Sequence, residues 1–426
     1  MEPHSSTTAF ARVTALAAER SVHAAFAWLH GNPKTILDWQ AEACGIPAPT
    51  FSEQARAAWL AERFRELALE QVSIDEAGNV LGFLPTPHLS TESTGPVIVL
   101  SAHLDTVFPA ETPLHPVVRR VHDRAHDIDR LEVPGASDNG AGIAGMLAIA
   151  GSLAAAGARL AVPLVFLGNV GEEGEGDLRG VRHFYARGAL GGRVAAHLVL
   201  DGAGCDGAVT QAVGSRRFRV TVTGPGGHSF TDAGTPHPIA ALARALAVLA
   251  DTPLPAQPVT TLNIGLMHGG TSVNSIPESA TAAVDFRSTA ADELVRLEVA
   301  LHRAVEDAVL SANSAAEAAL IRLRGRLAYE IVRIGDRPAA ALPDDSDLLA
   351  TLRAVDRHLG LHTGLRLGST DANLPLSLGV PAVSLGAGGE GGGAHTLAEW
   401  YEDKGREIGL RRILLLTLAM AEWVAE

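Results

Sequence analysis

The sequence predicts an α/β fold, a mainly parallel sheet with helices on both faces, interrupted by an inserted ferredoxin-like α+β domain. Three observations predict it. The runs PVIVL, VPLVFLGNV, HLVL and PAVSLG, rich in Val, Leu and Ile, are short enough for strands buried on both faces, as parallel strands are. Stripes of apolar residues at helical spacing alternate with them. In the middle of the chain the pattern changes to a β-α-β-β-α-β order, that of a ferredoxin-like unit. At 426 residues the chain exceeds the size at which one core keeps growing, so two domains are expected.

Residues 1–33, with ALAAERSVHAAFAWL, read as an N-terminal helical extension. Thr50 and Glu53 have capping-box spacing ahead of Leu60, Phe64 and Leu67, which predicts a helix after IPAPTFSE. A strand at Val97 to Leu100 follows, then a loop to Asp138, then a helix with Ile143, Leu147 and Ala150 on one stripe. Past Asp201 come FRVTVTG, a helix through Ile239, Leu242, Leu246 and Leu249, the runs TTLNIGLM and ATAAVDFRS, a helix through Leu294, Leu297, Leu301 and Ala308, and the run ALIRLRGRL. The inserted domain is therefore placed at 214–327. The first domain comprises 1–213 and 328–426, because its signals resume at Leu348 and extend to His395.

A net charge of −14 argues against a nucleic-acid backbone or an anionic membrane as partner, since either would want a basic face. A small molecule or peptide fits better. Cys44 and Cys205 are too few for a disulfide framework, which suits a reducing compartment. The segment MEPHSSTTAFARV lacks the basic stretch and apolar core of a secretory signal, so the expectation is cytoplasmic.

Six residues that bind metal well, His103, Asp138, Glu172, Glu173, Asp201 and His395, each lie just past an apolar run. In open α/β sheets ligands gather outside the carboxyl ends of the strands, so these positions point to one crevice. Singly, each has a plainer explanation. Asp105 in HLD supports His103 as a ligand by fixing its remote nitrogen, or is a turn residue beside a surface histidine. Asp138 reads as a helix N-cap, Glu172 and Glu173 as a solvated acidic loop, Asp201 as a turn and His395 as the end of a glycine-rich linker. Their joint placement at strand ends favours the crevice. There, Asp138, Glu173 and Asp201 would repel one another unless cations intervened, and two divalent ions balance three carboxylates and a hydroxide. Zinc suits this imidazole and carboxylate set best, and cobalt or manganese also fit.

Taken together, SAHLDTVFP, GASDNGAG, VGEEGEGDLRG, VLDG, GPGGHS, GGTSVNSIP and GSTDANLPLSLGVPAVSLG followed by AHT resemble the co-catalytic zinc metallopeptidases and amidohydrolases that include peptidase T, carnosinase, glutamate carboxypeptidase, aminoacylase and succinyl-diaminopimelate desuccinylase. The resemblance runs from about Ile46 to the C-terminus and is strongest to peptidase T-like members. It implies that the first domain is catalytic and the inserted one a lid and dimerisation domain. It makes Asp138 the carboxylate bridging two Zn2+ ions, with His103 and Asp201 on one ion and Glu173 and His395 on the other. Glu172 becomes the general base that takes a proton from a metal-activated water.

The resemblance also gives His228 a role in steadying the oxyanion at a neighbouring subunit's site, implying a homodimer through the inserted domain, and Asn274 and Arg287 a role in holding substrate. Read alone, His228 is a turn residue, and Asn274 and Arg287 are polar residues at strand ends. Among relatives, Asp at the position of Asp201 accompanies aminopeptidases and dipeptidases, and Glu accompanies carboxypeptidases, deacylases and desuccinylases. The expected activity is therefore hydrolysis of amide bonds in small peptides by an aminopeptidase or di/tripeptidase. The alternative within the fold is an N-acyl amino acid amidohydrolase or carboxypeptidase. A non-catalytic, metal-dependent peptide-binding protein is the alternative from another class, and the presence of Glu172 speaks against it.

Overall fold

A computed structural model describes residues 6–85, 95–123, 126–318 and 325–425. The chain forms two compact units, Met1–Ala212 with Ala341–Glu426, and Val213–Ala340. The first is built on a nine-stranded sheet. At its centre Leu164–Asn169, Val97–His103, Val194–Leu200 and Ala382–Leu385 lie side by side and parallel, as the apolar runs predict. Antiparallel strands flank them: Val80–Phe83 and Glu70–Ile74 at one edge, Gly207–Ala212 beyond Ala382–Leu385.

Every residue of Val97–His103 and Leu164–Asn169 is buried, because helices cover both faces. Val97, Val99, Val165 and Leu167 meet Phe184 of the helix Arg179–Arg187. Phe166 and Gly168, on the other face, meet Phe64 and Leu60 of the helix Gln54–Glu66. Each such side chain contributes about 1.5–3 kcal/mol by leaving water, so the sheet centre is the rigid part of the unit. The strand ends that carry the polar residues inherit that rigidity. The helices Gly140–Ala155 and Arg406–Ala425 also pack on the central strands.

The N-terminal extension is two helices, Ser6–Ala17 and Arg20–Gly31, and its apolar positions Val13, Val22, Ala25 and Leu29 are buried. Pro33 opens a third helix, Pro33–Cys44, where its missing N–H is no loss. The capping box expected at Thr50 and Glu53 does not form. Glu53 occupies the cap position without a side-chain cap bond, and its carboxylate binds the Phe51 amide and Arg179 instead. Thr50 turns to Asp105. Tertiary partners outcompete the local cap.

The expected loop between Val97–His103 and Asp138 contains a hairpin, Val117–Asp123 with His126–Glu132, joined to Trp400–Glu402 and Glu390–Gly392 in a separate antiparallel sheet. Arg119–Glu132 and Arg120–Asp129 ion pairs cross its two strands, each at 2.8 Å. The first strand is mostly exposed and the second buries Ile128 and Leu131, three apart rather than alternating, which is why the sequence pattern reads as loop.

The second unit is a four-stranded antiparallel sheet in the order Thr260–Gly269, Ser279–Ser288, Gly214–Thr223, Ala328–Arg337, the ferredoxin-like arrangement. Phe218, Val220 and Val222 pack against Leu242, Leu246 and Leu249 of the helix Pro238–Ala250, and against Leu294, Leu297 and Leu301 of Ala291–Ala318. The strand expected at ALIRLRGRL falls largely on 319–324, outside the described residues, and the sheet's fourth strand is Ala328–Arg337. Among the described residues no helix is long and apolar enough to cross a membrane.

Candidate metal centre

All six expected metal-binding residues lie in the first unit, and the structure brings them together. His103, Glu172, Glu173 and Asp201 stand at or just past central strands, whereas Asp138 lies in the turn before Gly140–Ala155 and His395 in the turn between Glu390–Gly392 and Trp400–Glu402, so the expectation that all six follow apolar strands does not hold for these two. His103 is the last residue of its strand, with a side chain only 2% exposed. Its Nε2 stands 3.1 Å from Asp138 Oδ1 and 3.8 Å from Asp201 Oδ1. His395 Nε2 stands 3.1 Å from Asp138 Oδ2 and 3.0 Å from Glu173 Oε1. Two groups of three therefore share Asp138, one through each carboxylate oxygen. Glu172 joins His103 and Glu173 in a third group within the same small volume.

The donor set fits two divalent ions. Each triad offers one imidazole Nε2 and two carboxylates, a combination that borderline divalent metals take. Asp138 Oδ1 is buried and has no hydrogen-bond donor, although it lies beside His103 Nε2. Electrostatics give the same picture. Burial alone would hold the His103 imidazole neutral, but the neighbouring carboxylates of Asp105, Asp138 and Asp201 raise its pKa well above the ordinary value. The hydrogen bond to Asp138 likewise lifts His395 to about 9. Burial opposes ionisation of Asp138, yet His103 and His395 hold its carboxyl well below the usual range. Burial pushes Glu173 up. Each imidazole therefore holds a proton more tightly than a free histidine does.

Asp138 does not cap the helix that follows it. Asn139 does, accepting the Gly142 N–H at 3.1 Å, while its amide donates to the Leu200 carbonyl and its oxygen accepts from Gly202 N–H. Asn139 thereby ties the Asp138 segment to the residues on either side of Asp201. An Asp there would lose the donor that the Leu200 carbonyl requires.

Asp105 is fully buried, and its carboxylate mainly serves backbone donors. Oδ1 accepts from Glu172 N–H and Oδ2 from Glu173 N–H, each at 2.9 Å, and Thr50 Oγ1 donates to Oδ2 at 3.0 Å. His103 Nδ1 lies 3.1 Å from the Asp105 carbonyl and 3.7 Å from its carboxylate. Asp105 therefore orients the two glutamates as well as the histidine, against burial that would otherwise raise its pKa. Sequence reading missed Thr50 and Asn139 as members of the site, because their partners are distant in the chain. It also missed Gln40 and Cys44, which donate to the carbonyls of Ala136 and Gly135 in the Asp138 loop. The glycine run before His395 packs closely: a Cβ on Gly391 would stand 2.5 Å from Ser137 Oγ.

In the second unit, His228 ends the short strand Gly227–His228, which pairs antiparallel with Ser275–Ile276 next to Asn274, and Ser229 N–H donates to the Asn274 carbonyl at 3.0 Å. His228 and Asn274 are exposed. His228 Nδ1 accepts from Phe230 and Thr231 amides, the turn-residue geometry. Arg287 is not with them. It lies near the far end of the strand Ser279–Ser288, roughly 27 Å along an extended chain from Ser279, and pairs with Asp285 at 2.8 Å.

Known structures share this architecture. A tripeptidase from Staphylococcus aureus is 21% identical, with 92% of this chain and 99% of that chain covered at a TM-score of 0.70. An aminopeptidase PepT from Bacillus cereus is also 21% identical, over 93% and 99%, at 0.67. Human carnosine dipeptidase 1 is 15% identical, over 94% and 100%, at 0.64. No curated protein matches the chain by sequence. The model of peptidase family M20/M25/M40 matches residues 99–418, the stretch that holds all six residues of the centre. By that match, this hydrolytic enzyme belongs to peptidase family M20/M25/M40.

Proposed function

We propose that the protein is a di-zinc metallohydrolase that cleaves amide bonds of small peptides, as an aminopeptidase or di/tripeptidase. One observation carries this reading: two triads of imidazole and carboxylate share Asp138, one oxygen to each. His103, Asp138 and Asp201 would hold one ion, and Asp138, Glu173 and His395 the other. When bound, such a pair of ions acidifies a water and polarises a substrate carbonyl.

Glu172, buried beside His103 and Glu173, is the general base that accepts the water's proton and returns it to the departing amine. Asp105 holds the Glu172 and Glu173 amides and so fixes where both carboxylates start. Buried His103, Glu172 and Glu173 form the inner side of the centre, while His395 is half-exposed and leaves it open to solvent and substrate. Following the resemblance, His228 steadies the oxyanion and Asn274 and Arg287 hold substrate in a homodimer formed through the inserted unit. The proposed location is the cytoplasm.

Steady-state kinetics on a dipeptide, a tripeptide and their N-acetyl forms test the substrate class. A free amino terminus should be preferred, and preference for the blocked forms would favour the amidohydrolase reading and overturn this one. Glu172→Gln should lower kcat by roughly 100-fold or more while sparing metal content. Unchanged turnover would remove Glu172 as the base.

A further inference from the structure

Glu399 lies just past His395 in the chain and is 1% exposed. Its carboxylate accepts three backbone N–H groups: Gly135 on Oε2, and Ser137 and Asp138 on Oε1, each at 2.8 Å. Its carbonyl accepts a fourth, from Val133, at 3.2 Å. One side chain of the segment that delivers His395 thus holds three amides of the segment that delivers Asp138, beside the bonds that Gln40 and Cys44 make to the same segment and that Asn139 makes from it to Leu200. An exposed turn would satisfy these donors with water. Here a carboxylate has been taken out of water to do so, which is costly unless the hydrogen bonds it gains hold something in place.

The two triads are not equally supported by the sheet. His103 and Asp201 sit at the ends of neighbouring buried strands. His395 has a side chain 52% exposed and follows a glycine-rich run, and its own φ is +63°. No sheet hydrogen bond sets His395 against Asp138; the described link between their segments that touches the Asp138 amide is Glu399.

We propose that Glu399 is a positioning residue that sets the Asp138 carboxylate against His395 and so couples the two ion sites, an inference that rests on the two-ion reading above. Without it, the ion held by His103 and Asp201 keeps its strand-end ligands, and the ion held by Glu173 and His395 loses its alignment with the bridge.

Metal-free protein, prepared with a chelator and titrated calorimetrically with Zn2+, tests this, with circular dichroism and thermal melting of the metal-free forms in parallel. Wild type should take up two ions per chain. Glu399→Ala should keep one tight ion and weaken the other by at least tenfold. Glu399→Gln keeps an acceptor for Ser137 and Asp138 but turns an NH2 toward Gly135, and should fall between. Should Glu399→Ala fail to fold, Glu399→Gln is judged by the same split. Two ions bound as in wild type, or both weakened alike, would overturn the proposal, since a merely structural loss would not separate the sites. A wild-type protein that binds no Zn2+ would instead overturn the two-ion reading itself.

Discussion

Replacing Asp105 by Asn probes how the site is held without touching a proposed ligand. The carboxylate uses its two oxygens on two different amides, Glu172 on Oδ1 and Glu173 on Oδ2. An Asn side chain has one oxygen, so in either orientation an NH2 faces one of these N–H groups. Thr50 can adapt, because its hydroxyl donates or accepts; the amides cannot. Asp105 itself is fully buried, so no water replaces the lost acceptor. A hydrogen bond to a charged group contributes ~1.5–3 kcal/mol, and an unsatisfied buried donor costs ~1–3 kcal/mol. About 3 kcal/mol expressed in the transition state is roughly 100-fold in rate, the upper end of what residues behind metal ligands usually contribute. Kinetics on an unblocked tripeptide, with metal content measured on the same samples, should show kcat reduced by that order and near-normal ion stoichiometry. Thr50→Val, which removes only the hydroxyl, should change kcat less than threefold. A kcat for Asp105→Asn within threefold of wild type would refute the idea that this carboxylate positions Glu172 and Glu173.

Metal loading should depend on pH in a defined direction. In the metal-free protein the His395 pKa is raised to about 9, and His103 is raised as well, above an ordinary value of 6.5. Their stabilisation is therefore fully present below pH 6.5 and is lost as pH rises toward about 9, so the metal-free melting temperature should fall across that window. Zinc affinity should rise over the same window, because ions displace protons from both imidazoles, and calorimetry in buffers of different ionisation enthalpy reads the protons released. A pH-independent affinity from 6.5 to 9 would contradict these shifts. Gly142→Ala should reduce both stability and activity, since its Cβ would collide with Asn139 Oδ1 and stand 2.6 Å from the Leu200 carbonyl. Gly31→Ala, with nothing within 4 Å of its Cβ, should instead be neutral or stabilise by about 0.4–1 kcal/mol in a thermal melt.

The strand ends were legible because a strand buried on both faces must be a continuous apolar run, and the first polar residue after it is conspicuous. His103, Glu172, Glu173 and Asp201 stand at such ends, whereas Asp138 lies in a turn before a helix and His395 ten residues past Ala382–Leu385, so for these two the rule gave only the neighbourhood. What stayed hidden depends on partners remote in sequence. Thr50 and Glu53 have capping spacing, but Asp105 and Arg179 claim their side chains. Asp138 and Asn139 are equally plausible caps in one dimension, and only the Leu200 carbonyl and Gly202 amide decide for Asn139. The strands Val117–Asp123 and His126–Glu132 pair across ion pairs and bury only Ile128 and Leu131 among their described residues, too little to leave an alternating apolar signature. Nothing in the run AHTLAE distinguishes Glu399 from a surface glutamate, because its value lies in three amides more than 250 residues away.

The bridging role of Asp138 is tested most directly by counting ions. Zinc titration of metal-free wild type and of Asp138→Asn, with stoichiometry confirmed by elemental analysis, should give two ions per chain for the former. The latter, which loses the charge that both triads share, should give at most one. Two ions retained by Asp138→Asn, or none bound by wild type, would contradict a centre built around that carboxylate.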